Sequence, residues 1–352
     1  MFSNLVVLDL STVLAGPSVG TFFAELGARV IKVENPKVPD VTRSWKLGSE
    51  DSTSSVSAYF SSINYKKEYL QLDLKNNNDY QRFLELVAQA DILLSNFKLG
   101  DDVKFNLQDT VLRAVNPRLI CGKITGFGDE SDRVAYDLIL QAETGFMSMN
   151  GTPESGPVKM PVALIDVLAA HHLKEALLLA LIERAQSGIA KTVSVSLYDA
   201  AVASLANQAS NYLMENKIPQ RIGSLHPNIA PYGEIFETED KALITFAIGS
   251  DVHFHKLCSF FKLDELCSDP SFSSNVARVQ NRETLFELLQ EKISHYSCDE
   301  ILKHMLENNV PCGKIKDLKE VFEDNSAQQL VRSEIIEGKN TKRVTSLAFK
   351  WK

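Results

Sequence analysis

Short apolar runs alternate with amphipathic stretches through the first third of the chain. LVVLDL at residues 5–10 reads as a buried strand. Gly16-Pro17 stands where a helix should begin, FFAEL continues it, Gly27 closes it, and RVIKVE at 29–34 is a second strand. This is a βαβ unit. Residues 37–64, rich in Ser, Thr, Asp and Gly, predict a long functional loop; YLQLDL then reads as a strand and NNDYQRFLELVAQA as a helix with Phe83, Leu84 and Val87 on one face. DILLSNF, LQDTVLRAV and RLICGKI continue as strand, helix and strand. Strands alternating with helices predict a parallel sheet wrapped on both faces, with ligands at the carboxyl ends of its strands.

Past NGTPESGP, the stretch VLAAHHLKEALLLALIERAQSG predicts one long helix closed by Gly188, followed by a strand TVSVSL and a helix through YDAAVASLANQASNYLM. Composition changes at KIPQRIGSLHPNIAPYG, whose Pro and Gly mark a linker, and GEIFETEDKALITFAI reads as a hairpin turning at Glu239-Asp240. A smaller domain follows, with helices near 251–262, 281–296 and 298–308, a strand at VPCGKI, and a tail VTSLAFKWK whose alternation predicts a last strand. The expected organisation is a large domain over 1–215, a linker and small domain over 216–315, and a segment 316–352 returning to the large domain.

Composition narrows the function classes. The 352 residues carry 37 basic and 45 acidic side chains, a formal charge of −8, and no Lys/Arg-rich run. That disfavours nucleic acid or an anionic membrane as the main partner, while leaving room for a local basic pocket. No apolar stretch approaches the ~18 residues of a membrane span, and Asp9 interrupts the apolar start, so neither a span nor a targeting signal is expected. The five scattered cysteines have no CxxC spacing, which fits a reducing compartment, the cytoplasm by default, and no metal site.

Among candidate motifs, Glu34 at the end of the second strand suggests a ribose-binding acid, but STVLAGPSVG lacks GxGxxG, which argues against a dinucleotide. Walker and HExxH patterns are absent too. His171-His172 cannot form a metal pair, because adjacent helical side chains diverge by about 100°. Asp166 is an isolated acid between MPVALI and VLAAHHL, where a helix N-cap would fall. It admits two readings: an ordinary cap worth ~1 kcal/mol, or a carboxylate at a positive helix end, ionised from an ordinary value of about 3.9, that attacks an activated acyl group.

LDLSTVLAGPSVGTFFAELGARVIKVENP, LQLDLK, DILLSNF, NPRLICGKITGFG, AYDLILQAETGFMSMNG, and SLYDAA followed by HPNIAPYG resemble the class III CoA-transferases, in order and over nearly the whole chain. That family includes formyl-CoA and carnitine-type CoA-transferases and, as a related branch, the α-methylacyl-CoA racemases. The resemblance implies a Rossmann-like large domain that binds CoA, a smaller α+β domain, and a ring-shaped subunit in an interlocked homodimer. It implies a CoA-transferase moving CoA from an acyl-CoA donor to a carboxylic acid acceptor through covalent aspartyl intermediates, with Asp166 as nucleophile. It places CoA contacts at Leu14, Ala15, Leu72, Asp73, Leu74, Lys75, Asn96, Phe97, Lys98, Tyr136 and Asp137, and at Lys104, where relatives carry Arg. Lysines at strand ends, Lys32 among them, suit the phosphates of CoA.

Departures from the family pattern bear on substrate and alternatives. The racemase branch uses His where this chain has Tyr136, and a tyrosine with an ordinary value near 10 is a poor base at neutral pH. Racemisation is therefore the alternative, distinguished by α-deuterium exchange without an acceptor. The polyglycine loop of formyl-CoA transferases is replaced by GSLHPNIAPYG, and Leu14 stands where they carry Gln, which argues against formyl/oxalate specificity. Trp45 is retained, either to shape the acyl pocket or to pack a partner subunit. The chain ends soon after SLAFK, where many relatives continue, so an inactive CoA-binding paralogue is a further alternative.

Overall fold

A computed structural model describes residues 1–350. The chain forms two compact units: one of residues 1–149, 158–219 and 329 onward, the other of residues 150–157 and 220–328.

The first unit is built on a six-stranded sheet of β1 (Val6–Asp9), β2 (Arg29–Glu34), β3 (Lys67–Gln71), β4 (Ile92–Ser95), β5 (Ile120–Thr125) and β6 (Thr192–Ser196), in the order β3-β2-β1-β4-β5-β6. Every neighbouring pair is parallel. β4 is buried throughout, as a sheet covered on both faces requires. One apolar layer joins the sheet to helix Ala15–Glu25 and the long helix Leu164–Ser187, the other to helix Asn77–Val87. The order reverses at β1, so a crevice opens beyond the carboxyl ends of β1 and β4.

Close approach at the first turn explains its glycines. A Cβ on Gly16 would lie 2.3 Å from the Ser11 side chain, and one on Gly20 2.8 Å from the Asp9 carboxylate. Asp9 is itself buried against Lys67 at 2.8 Å.

Two expectations are corrected. The helix expected through YDAAVASLANQASNYLM is two helices, Leu197–Ala203 and Ala206–Glu215, interrupted where Ala206 takes φ 48°. The tail strand lies earlier than the alternation of VTSLAFKWK suggested: β10 (Val331–Ile336) and β11 (Lys339–Val344) pair as an antiparallel hairpin around Glu337-Gly338. Trp351 and Lys352 lie outside the described residues.

The second unit carries a three-stranded antiparallel sheet of β7 (Tyr232–Glu237), β8 (Leu243–Ala247) and β9 (Cys312–Lys314), with helices including Asp251–Phe261, Arg282–Ile293 and Cys298–Glu307. Phe236, Phe246, Phe254, Leu257, Leu289 and Ile301 fill its core. Buried Arg278 donates to the Ala230 and Phe272 carbonyls and to Asp251.

Candidate active site

Asp166 lies in the first turn of the long helix but does not cap it. The N-cap is Ala163, and the acceptor for the unpaired N–H of Ile165 is the Asp137 carboxylate, 2.8 Å away and 28 residues upstream. Asp137 also takes the Gln141 amide at 2.6 Å, and Gln141 in turn accepts the Met160 N–H at 2.8 Å. The capping role suggested for Asp166 therefore belongs to Asp137, and the Asp166 side chain is left over from the helix's own needs.

Asp166 is 8% exposed, and burial, with the negative Asp137 beside it, pushes its carboxyl up from 3.8 to about 7. The expectation of an acid ionised from an ordinary value is corrected, because desolvation outweighs the favourable helix end. At neutral pH such a group divides between acid and carboxylate. Its carboxylate form is poorly solvated and correspondingly reactive toward an acyl carbon. The Tyr59 hydroxyl is pushed up to about 12 by burial and by the charges of Asp166, Asp137 and Asp40. Tyr59 packs edge-on against Trp45, ring centroids 5.1 Å apart.

The crevice beyond β4 and β5 holds a cavity of about 470 Å³. Asn96, Phe97, Lys98 and Tyr136 all line it. Asn96 is committed to the backbone: its amide accepts the Thr12 N–H at 3.0 Å and donates to the Thr12 carbonyl at 2.8 Å, tying the first turn to the end of β4. Leu14 and Ala15 begin the first helix directly after Val13, a lining residue. Val13 takes φ 73°, rare for a β-branched side chain, with its N–H 3.4 Å from the Asp40 carboxylate.

Other expected contacts lie outside this cavity. Leu72, Asp73, Leu74 and Lys75 follow β3, with Leu72 buried and Asp73 accepting from Lys37 at 3.1 Å and from the Lys75 N–H at 3.1 Å. Lys104 is exposed and pairs with Asp101 at 3.1 Å. Asp137 faces the long helix, as described. Lys32, expected to meet phosphate, is fully buried, 3.1 Å from Asp40, and donates to the Ser11 carbonyl at 2.7 Å. Glu34 is bidentate to Arg43, which occupies the oxygens a ribose would need.

Sequence reasoning missed Lys123 and Arg133 in the cavity wall. Lys123 pairs with Asp109 at 3.0 Å; Arg133 pairs with Glu143 at 2.7 Å and lies 3.8 Å over the Phe127 ring. The signal for Lys123 was available, since it sits in the last half of a strand whose carboxyl end was expected to bind ligand. Lys98 is the lining cation that has no ion-pair partner among the described residues.

The chain matches the model described as CoA-transferase family III over residues 2–352. It is 36% identical to a succinate–glutarate CoA-transferase of Agrobacterium fabrum over 332 residues, 93% of this chain and 82% of that protein. Against human succinyl-CoA:glutarate CoA-transferase it is 31% identical, covering 90% of this chain and 72% of the relative. A crystal structure of a CAIB/BAIF family protein from Brucella suis superposes with TM-score 0.85 at 35% identity, covering 99% of this chain and 91% of that one.

Proposed function

The chain belongs to CoA-transferase family III, and from that premise we propose that it moves CoA from an acyl-CoA to a carboxylic acid through covalent intermediates on Asp166. The observation that carries this reading is the Asp166 carboxyl: buried, relieved of capping by Asp137, and pushed up to about 7. Several relatives are named for dicarboxylic acids, among them succinate–glutarate and succinyl-CoA:mesaconate CoA-transferases. Short dicarboxylates are accordingly the substrates of this reading.

A carboxylate oxygen of Asp166 attacks the thioester carbonyl, the C–S bond breaks, and CoA leaves as thiolate, giving an aspartyl-acyl anhydride. The thiolate attacks the aspartyl carbonyl and expels the donor acid, giving an aspartyl-CoA thioester. The acceptor carboxylate displaces thiolate from that thioester to form a second anhydride. Thiolate attack on its acceptor carbonyl then releases the new acyl-CoA and restores Asp166. Each step exchanges one activated acyl bond for another, so the thioester's free energy is conserved.

In this reading CoA lies along the carboxyl edge of the sheet, against Leu14, Ala15, Leu72 to Lys75, Asn96 to Lys98, Lys104, Tyr136 and Asp137. Lys98 supplies charge for its phosphates, and Lys123 and Arg133 join it from the cavity wall. A ring-shaped subunit in an interlocked homodimer belongs to the same reading. Its support is the exposed Leu138, Ile139, Tyr212, Leu213 and Met214, apolar side chains that a second copy would cover.

The test is incubation of the protein with succinyl-CoA and a panel of other acyl-CoAs, then mass spectrometry for a hydroxylamine-labile adduct on Asp166. An adduct that Asp166→Asn lacks supports the assignment. Absence of any adduct across the panel favours the inactive CoA-binding alternative, and exchange retained by Asp166→Asn refutes the nucleophile.

A further inference from the structure

The segment 40–60 carries Trp45 and Tyr59, and it is held by the β10–β11 hairpin, which arrives from nearly three hundred residues downstream. Glu337 at the hairpin turn takes two N–H groups of Arg43, at 3.1 and 3.2 Å, and the Ser55 hydroxyl at 2.5 Å. The same guanidinium is bidentate to Glu34 at 2.6 and 3.0 Å and donates to the Ser55 carbonyl at 3.1 Å, so all five of its donor sites are used. It lies 3.9 Å over the Phe60 ring. Lys339, two residues past Glu337, donates to the Val56 carbonyl at 2.7 Å and reaches Glu50 at 3.3 Å; Glu50 in turn accepts the Leu47 and Ala58 N–H groups. Ile336 closes a small apolar cluster with Val56 and Phe60.

This clamp touches neither Asp166 nor the crevice. We propose that Glu337 is a positioning residue for acyl transfer: by fixing Arg43 it sets the loop that brings Tyr59 within reach of the Asp166 charge, with Trp45 packed edge-on against Tyr59. The inference rests on the reading of Asp166 given above. Arg43 is central because a planar guanidinium with five donors can give two N–H groups to each of two carboxylates, which an ammonium with three donors cannot. The first turn has separate supports in Asn96 and in Asp40 paired with Lys32, so it survives removal of Glu337. Loss of the clamp should therefore disturb the acyl side of the site and spare CoA binding.

The experiment compares full-length wild type, Glu337→Gln and Glu337→Ala in three measurements. These are exchange of an acyl-CoA and acid pair that the wild type turns over, beginning with succinyl-CoA and glutarate; calorimetric binding of free CoA; and acrylamide quenching of Trp45. Trp351→Phe is present throughout the quenching series, so that Trp45 is the single tryptophan. Glu337→Ala is expected to lower kcat/KM about 10- to 100-fold with the Kd for free CoA within about twofold. Quenching of Trp45 should rise, and Glu337→Gln, which keeps one acceptor oxygen, should fall between wild type and Glu337→Ala in both. Unchanged kcat/KM in Glu337→Ala, unchanged quenching, or a loss of CoA affinity equal to the loss of kcat/KM overturns the inference. Should Glu337→Ala not fold, Glu337→Gln decides by the same criteria. A wild type that binds no CoA, or exchange by Asp166→Asn, strikes the reading of the site instead, and the quenching comparison still judges the clamp.

Discussion

Replacing Asp166 by Asn preserves the volume of the side chain and removes its charge, which separates what the carboxylate does for stability from what it does for chemistry. The folded protein raises this carboxyl from 3.8 to about 7. The folded state therefore holds the proton more tightly than the unfolded chain. Stability from this group is fully present below about pH 4 and is lost as pH rises through the interval to about 7. At about 1.4 kcal/mol for each tenfold change in proton affinity, the ionised side chain costs the fold about 4 kcal/mol above neutrality. With the residue 8% exposed, solvent screening reduces this little. Urea unfolding of wild type and Asp166→Asn at intervals from pH 5 to 8 measures the difference directly. Asp166→Asn should gain on wild type as pH rises, by most of that amount across the series, while losing exchange at least about a thousandfold. A difference that stays flat to within about 0.5 kcal/mol would refute the desolvation argument, even if activity were lost.

The same titration should shape the rate: kcat/KM rises with pH and levels above about 7, because the nucleophile is the carboxylate form. A profile already level at pH 5 would count against it. Asp137→Asn keeps an acceptor for the Ile165 N–H but removes the neighbouring negative charge, so the acid limb should move to lower pH. The meeting of amide donors at Gln141 should cost this variant about 1 kcal/mol in urea unfolding. Lys98→Ala should weaken free CoA binding roughly three- to fivefold and flatten its salt dependence, both read by calorimetry. Gly20→Ala drives a methyl against the buried Asp9–Lys67 pair and should lower stability by roughly 2 kcal/mol without changing the pH profile.

Local pattern was enough for much of the architecture. The runs LVVLDL, RVIKVE, DILLSNF and TVSVSL contain β1, β2, β4 and β6, RLICGKI covers β5 up to its last residue, and the stretch ending at Gly188 covers the long helix from Val167 on, missing the first turn that holds Asp166. Parallel strands buried on both faces need continuous apolar runs, and a helix needs its period and its stop, so these choices are written locally. The family resemblance, carried by the order of short motifs, agrees with the match over residues 2–352.

What the sequence could not decide is which polar group meets which. Lys32 looked like a ligand cation, yet folding buries it on Asp40. Asp166 looked like a cap, yet Asp137 takes that role from 28 residues away. Glu34 looked available to a ribose, yet Arg43 claims it and shares itself with Glu337 from the far end of the chain. Backbone conformation follows from neighbours in sequence, whereas the desolvation, pairing and proton affinity of a charged side chain follow from neighbours in space. The sequence alone determined the sheet and the candidate nucleophile; only the tertiary structure decided that this carboxyl is held near neutrality, and by what.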